Sequence, residues 1–350
     1  MHRQPQTVAS ENEISPGEPA YAYGSPQATG VIRQRVKDFQ VQEQLAFTPD
    51  GEGSHALLQI RKRHTNTEQL ARVLARLAGV HSRDIGYAGL KDRHAETTQW
   101  FSVDLAGRQE PDWTSLNDEG VNLLSMTRHR RKLRRGALRE NRFIITIRHL
   151  DADWRTLTDR LQCIRQGGVP NYFGVQRFGR NNLAQAADLF AGKIRVRDRH
   201  RRGLYLSAAR AWLFNQVASE RVKAGNWDSA LPGDVMMLDG SKSIFPCEVA
   251  DQKIATRLQD GDIHPTGPLW GCGALGTREV AAQQEREVLA TATAWRTGLE
   301  AAGLKQQRRA LRVIPQALCW NFPAPDILCL RFMLPPGSYA TSVLRELVNI

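Results

Sequence analysis

The 350-residue sequence predicts a mixed α/β (α+β) fold, sheet-rich at both ends and more helical in the middle. Three observations carry that reading. Strand-like alternation recurs near residues 30–45, 56–61, 97–103 and 141–147, and returns at 327–333. From about 153 to 312 the apolar spacing is mostly helical, at three and four residues. A hydrophobic content of 41% with 24% charged residues supplies a buried core and places the chain among globular proteins, and its length suggests about two domains.

In chain order, the polar residues 1–22 read as a flexible tail with no apolar core of a signal peptide. Val36, Phe39 and Val41 alternate with polar residues around a loop near Lys37 and Asp38, and Asp50-Gly51-Glu52-Gly53 is a turn before the strand at 56–61. Asn66 caps a helix, with Gln69 completing a capping box. Leu70, Val73, Leu74 and Leu77 share one face of it, and Gly79 ends it. A short apolar piece at 85–88 runs through Gly89 into Lys91-Asp92-Arg93, and the Thr-rich aromatic strand at 97–103 follows. The run Arg128-His129-Arg130-Arg131-Lys132-Leu133-Arg134-Arg135, extended by Arg139 and Arg142, leads into the alternating strand 141–147.

Trp154, Leu157, Leu161 and Ile164 form one helical face that ends at Gly167-Gly168. A short helix at 183–191 is followed by Arg195, Arg197, Arg199, Arg201 and Arg202, then by a longer helix at 204–222. Residues 234–243 read as a strand with an Asp239-Gly240 turn, 266–271 as a rigid Pro-Gly loop, and 279–304 as Ala-, Gln- and Glu-rich helix. Lys305, Arg308, Arg309 and Arg312 make a third basic group, ahead of the strand at 327–333 and a terminal helix from about 339.

A net charge of +12 and an isoelectric point near 9.9 attract polyanions, nucleic acid foremost. The sequence contains no run of about 18 apolar residues, so no membrane helix is expected. Its five cysteines, Cys163, Cys247, Cys272, Cys319 and Cys329, are widely spaced and lack zinc spacing, as expected of reduced thiols in a cytoplasmic protein without a structural metal. Gly271, Gly273 and Gly276 match the spacing of a dinucleotide fingerprint, but Pro268 argues against the strand-turn context that it needs.

On local chemistry, Asp92 between Lys91 and Arg93 on a Gly-tethered loop is either a catalytic carboxylate held in its charged form or an ordinary surface ion pair. The surrounding residues, Ala88-Gly89-Leu90-Lys91-Asp92-Arg93-His94-Ala95-Glu96-Thr97-Thr98-Gln99, resemble the A-G-x-K-D-[RK]-x-A-x-T-x-Q block of the TruD-type tRNA pseudouridine synthases. The stretches beginning at Asn171-Tyr172-Phe173-Gly174 and at Leu334-Pro335-Pro336-Gly337-Ser338-Tyr339 are similar to further blocks of that family, in the same order.

The resemblance implies a discontinuous catalytic domain with a mixed, largely antiparallel sheet, in parts 23–152 and 313–350, with a more helical TRUD domain inserted at 153–312. RNA would lie in the cleft between them, lined by the three basic groups. It implies isomerisation of uridine to pseudouridine in tRNA, at uridine 13, with Asp92 as the essential aspartate. That residue could be a nucleophile at C1′ or a base at the 2′ hydrogen. Phe143 is the expected stacking ring, with Phe39 and Phe332 completing an apolar pocket, and Asn141 is expected to read a base edge.

Phe39 could equally be simple core, and Glu43 either a polar site residue or a structural one. Arg345 is expected as the basic partner of Asp92, or is a surface arginine on a helix. Lys91 and Arg93 are expected at phosphates, as are Arg130, Arg131, Arg134, Arg199 and Arg201. No cofactor is expected, and no nucleotide, metal or membrane. The partner is tRNA and the protein a monomer. The competing readings are a non-catalytic RNA-binding or chaperone protein, and a metal-dependent nuclease, for which only Glu96 lies near Asp92 in sequence.

Overall fold

The computed structural model describes residues 17–350 except His94 and Glu119, so the expected tail lies outside the described residues as far as position 16. The chain divides into two units, Pro26–Gly168 with Ile314–Ile350, and Val169–Val313 with the residues up to Ser25. The first unit opens with β1 (Thr29–Val31), β2 (Phe39–Leu45) and β3 (His55–Lys62), then α1 (Thr67–Leu77). The Asn66 side chain caps α1 by accepting from the Gln69 N–H at 2.7 Å. Leu70 and Leu74 bury against Leu58, Ile60, Phe101 and Val103 of the sheet. β4 (Ile85–Tyr87), β5 (Glu96–Asp104), β6 (Val121–His129) and β7 (Leu138–Asp151) follow. β6 was not legible in sequence, because its Leu124 and Met126 are exposed and no alternation marks it.

The expected insertion began at 153, whereas the division falls at Val169 and α2 (Trp154–Gly167) stays with the first unit. Leu157, Leu161 and Ile164 are buried as their spacing predicts, Arg160 donates to the Glu346 carbonyl at 2.8 Å, and Arg165 lies over the Trp320 ring. Trp154, expected on the apolar face, is 69% exposed at the first helical position and meets Phe322 edge-on.

The second unit contains β8 (Val169–Pro170), α3 (Asn182–Phe190), α4 (Arg199–Lys223), β9 (Asp234–Leu238), β10 (Ile244–Cys247), α5 (Gln252–Gln259), β11 (Ile263–Leu269), α6 (Glu279–Val288), α7 (Thr293–Ala301), β12 (Gln307–Ala310) and β13 (Arg312–Val313). α4 starts within the second basic run instead of after it, capped by Asp198. The predicted loop at 266–271 is largely strand. β11 pairs with β9 through residues 263–265 and with β12 through residues 266–269, a change of partner that accommodates Pro265 and Pro268. The predicted helix 279–304 is broken by a turn at 290–292, where Ala292 and the preceding Leu289 are buried. Residues 17–22, read as tail, are anchored here: Ala20 donates to Ser219 Oγ at 2.8 Å, and Tyr172 donates its hydroxyl to the Ala20 carbonyl.

The chain returns to the first unit with β14 (Gln316–Ala324), β15 (Ile327–Leu334) and α8 (Ala340–Arg345). Among the described residues the sheet has nine strands, in the order β14-β15-β7-β2-β5-β3-β6, with β1 on β7 and β4 on β5. Only the β2–β5 pair is parallel. Residues directly opposite on neighbouring strands share a face. Phe143 faces Val41 and Phe332, Asn141 faces Glu43 and Leu334, Val41 faces Thr97, and Thr97 faces Lys62. One face of the sheet therefore gathers Lys62, Thr97, Glu43, Asn141, Phe143 and Phe332.

Candidate active site

The loop carrying Asp92 is fastened along its length. Ala88 accepts from the Gly136 N–H at 2.9 Å, and Gly89 accepts from Gln99 Nε2 at 2.6 Å. The Lys91 N–H donates to Thr67 Oγ1, whose hydroxyl donates to Gln99 Oε1, both at 3.0 Å. Thr67 and Gln99 are buried, so this clamp is shielded from water. Arg93 donates through Nε to the His64 carbonyl at 3.0 Å. The chain before the loop lies close to its neighbours: a Cβ on Gly86 would strike Ser102 Oγ and the Leu133 carbonyl. Glycine permits that approach.

At the end of the loop the Asp92 side chain is 22% exposed and accepts from Arg33 Nη2 at 2.6 Å. Arg33 sits in the left-handed region, φ 59°, uncommon for a side chain of its size. Its guanidinium lies 4.4 Å from the centre of the Phe39 ring. Phe39 meets Phe143 edge-on at 6.3 Å, and Phe143 stacks on Phe332 at 5.4 Å and 22°. The carboxylate, its cation and three rings thus form one continuous arrangement. Asn141, beside Glu43 in register, is buried, and its Oδ1 has no hydrogen-bond partner among the described residues.

Beneath the loop lies a buried charge cluster. Glu43 is fully buried, ion-paired to Lys91 Nζ at 2.8 Å, and accepts from the Trp100 N–H at 2.9 Å. Burial pushes its carboxyl up, against the pull of Lys91, of the Trp100 N–H and of Lys62. Lys62, also buried, donates to the Thr65 carbonyl at 2.7 Å. Burial lowers its amine to about 8, opposed by the charges of Asp92 and Glu43 and assisted by that of Lys91. Lys91, expected at a phosphate, has its ammonium held by Glu43 and its side chain 10% exposed.

The family model for tRNA pseudouridine synthase D (TruD) matches residues 16–187 and 181–347. The tRNA pseudouridine synthase D of Nitrosococcus oceani is 52% identical over 339 residues, covering 95% of each chain. That of Hydrogenovibrio crunogenus is 45% identical over 341 residues, covering 97% of this chain and 98% of its own. The chain belongs to the TruD family. A solved structure of a candidate TruD protein from Methanosarcina mazei has the same fold, with a TM-score of 0.67 at 21% identity, over 96% of this chain and 97% of that one.

The other residues singled out within the TruD pattern fall in several places. Arg345 ends α8 and donates to Glu346 Oε1 at 2.9 Å. Arg33, which the sequence reading passed over, is ion-paired to Asp92 at 2.6 Å. In the first basic run Arg130 pairs with Glu52, Lys132 reaches the Arg83 carbonyl, and Arg131 and Arg134 are exposed. Arg199 and Arg201 are exposed in the first turn of α4, in the second unit. The third run is largely internal. Arg308 binds buried Glu285 at 2.6 Å, Arg312 is buried against the Leu258 carbonyl, and Arg309 binds Asn171.

Four residues that position the site were not identified in advance: Arg33, Lys62, Thr67 and Gln99. Lys62 carried a signal, since it continues the inward series Ala56, Leu58, Ile60. Gln99 stood in the motif without an assigned task, and nothing in the local pattern marked Arg33.

Proposed function

We propose that the chain converts uridine to pseudouridine in tRNA, at position 13, with Asp92 as the reacting carboxylate and without a cofactor. The observation that carries this reading is the placing of Asp92, partly exposed, against Arg33 and beside the Phe39–Phe143–Phe332 group. In the reaction the C1′–N1 bond breaks, the uracil turns, and C5 bonds to C1′. C5 loses a proton and N1 gains one, so no atom is added overall and no electrons leave. Such a step requires neither redox partner nor group donor. Asp92 either attacks C1′, splitting the step in two, or removes the 2′ hydrogen on a glycal route.

A base turned out of its stack needs an apolar, aromatic pocket, and the phenylalanine group supplies one. Asn141 Oδ1, buried and unfilled, suits the uracil N3–H. Arg33 is assigned as the cation that neutralises and orients Asp92, and the working protein as a cytoplasmic monomer.

The test is pseudouridine mapping on unmodified tRNA with wild type and Asp92→Asn, in the presence of chelator. Wild type should convert a single uridine, at position 13, and Asp92→Asn should lose at least about 10³-fold in rate while still binding tRNA. Equal conversion by the variant would remove Asp92 from its role. Binding without conversion by wild type would favour the RNA-binding reading.

A further inference from the structure

A second recess adjoins the Asp92 loop within the same unit. It is a cleft of about 670 Å³ lined by Arg35, Val36, Lys37, Arg63, His64, Thr65, Asp118 and Gly120. That volume lies within the roughly 300–1,000 Å³ of ordinary ligand sites. We propose that this cleft binds the RNA strand next to the reacting uridine, with Arg35 and Lys37 contacting its phosphates. The proposal rests on the synthase reading and extends it to a part of the surface that none of the three basic runs supplies.

Two segments form its walls, and both also hold the reacting loop. The first runs from Arg33, the ion-pair partner of Asp92, to the turn Val36–Asp38. The second contains His64, whose carbonyl accepts from Arg93, and Thr65, whose carbonyl accepts from Lys62. His64 takes the left-handed backbone, φ 54°, as Arg33 does across the loop. Non-glycine residues held in that region gather at ligand sites more than elsewhere. A strand whose uridine enters beside Asp92 would thus have its neighbouring nucleotide within reach of this cleft.

The charges distinguish a binding surface from an internal network. The carboxylate within the first segment, Asp38, is buried and already engaged: it takes three bonds from Arg148, Nε to both oxygens and Nη2 to Oδ1, and one from the Arg35 N–H at 2.7 Å. Arg63 is held by Glu96 at 2.5 Å. Asp118 Oδ1 accepts from the N–H groups of Gly120 and Val121, each at 2.6 Å. The Arg35 guanidinium and the Lys37 ammonium are exposed and have no ion-pair partner within 4.0 Å among the described residues. Cations left free at the mouth of a cleft, with the acids beneath them engaged, suit a phosphodiester. The second oxygen of Asp118 suits a ribose hydroxyl, which favours a nucleotide over inorganic phosphate.

The experiment uses the full chain and tRNA over a potassium chloride titration, reading kcat, KM and the salt slope of binding. R35Q/K37Q should raise KM on the order of tenfold, with the loss falling on KM and not on kcat. It should also flatten the log–log salt slope by about 1.4 to 1.8, the loss of two phosphate contacts. K242Q/K253Q, which removes two exposed lysines of the second unit, controls for net charge. An unchanged KM and slope in R35Q/K37Q would overturn the proposal, as would an equal change in the control. A loss confined to kcat would overturn it too, since it would mean that the segment acts only through Arg33. Binding slopes measured on Asp92→Asn test the cleft even if wild type makes no pseudouridine, so the two readings can fail separately.

Discussion

At the scale of single residues, the charges next to one another in sequence do not pair with one another in space. Lys91 and Arg93 flank Asp92, yet Lys91 turns inward to Glu43 and Arg93 reaches the His64 backbone, while Arg33 arrives from a distant turn to hold the carboxylate. Local reading singled out the acid because the motif surrounds it, and passed over Arg33 because long-range pairing leaves no trace in spacing.

Lys62 allows a test by linkage. Its amine is lowered from 10.5 to about 8, so it is charged in both folded and unfolded chains below pH 8. Between about 8 and 10.5 the unfolded chain binds the extra proton, and stability must rise with pH across that window. The difference in unfolding free energy between wild type and Lys62→Met should therefore move towards wild type by about 3 kcal/mol from pH 8 to 10.5. Denaturant unfolding at a series of pH values reads it. A flat difference would mean that the amine titrates at its ordinary value.

Elements with a buried face and a clean period were legible: α1, β5, β7 and β15 lie within a few residues of expectation. The missed or altered ones share a physical cause. β6 and β14 are edge strands with exposed apolar or polar positions, so burial does not impose alternation. β11 contains two prolines and reads as a loop unless its change of partner is known. Arg308, counted in a basic group expected along the RNA cleft, pairs with Glu285, and Arg221, which no basic run marked, pairs with Asp234 at 2.9 Å, all four buried. Arg221 ties α4 to the start of β9 and also bonds the Asn226 and Ser229 carbonyls. Arg221→Met should cost about 3–5 kcal/mol, because it leaves Asp234 buried without its cation. The double variant Arg221→Met/Asp234→Asn should recover part of that loss in urea unfolding. A single variant within 1 kcal/mol of wild type would show the pair to be dispensable.

At the scale of the whole molecule, the +12 charge marks a polyanion partner but does not say which cations meet it. Composition treats all 48 basic residues alike, whereas burial sorts them. Arg131 and Arg134 project into solvent from the first unit, and Arg308 and Arg312 support the interior of the second. The two classes should separate in one pair of measurements. Arg131→Ala/Arg134→Ala should weaken tRNA binding, flatten its salt slope by about 1.4 to 1.8, and leave the melting temperature within about 2 °C. Arg308→Met should lower the melting temperature by several degrees, through the stranded Glu285, with the salt slope of the remaining folded protein unchanged. If the exposed pair left the slope untouched, the first run would be a bystander surface, and RNA contact in the first unit would fall to the cleft of Arg35 and Lys37.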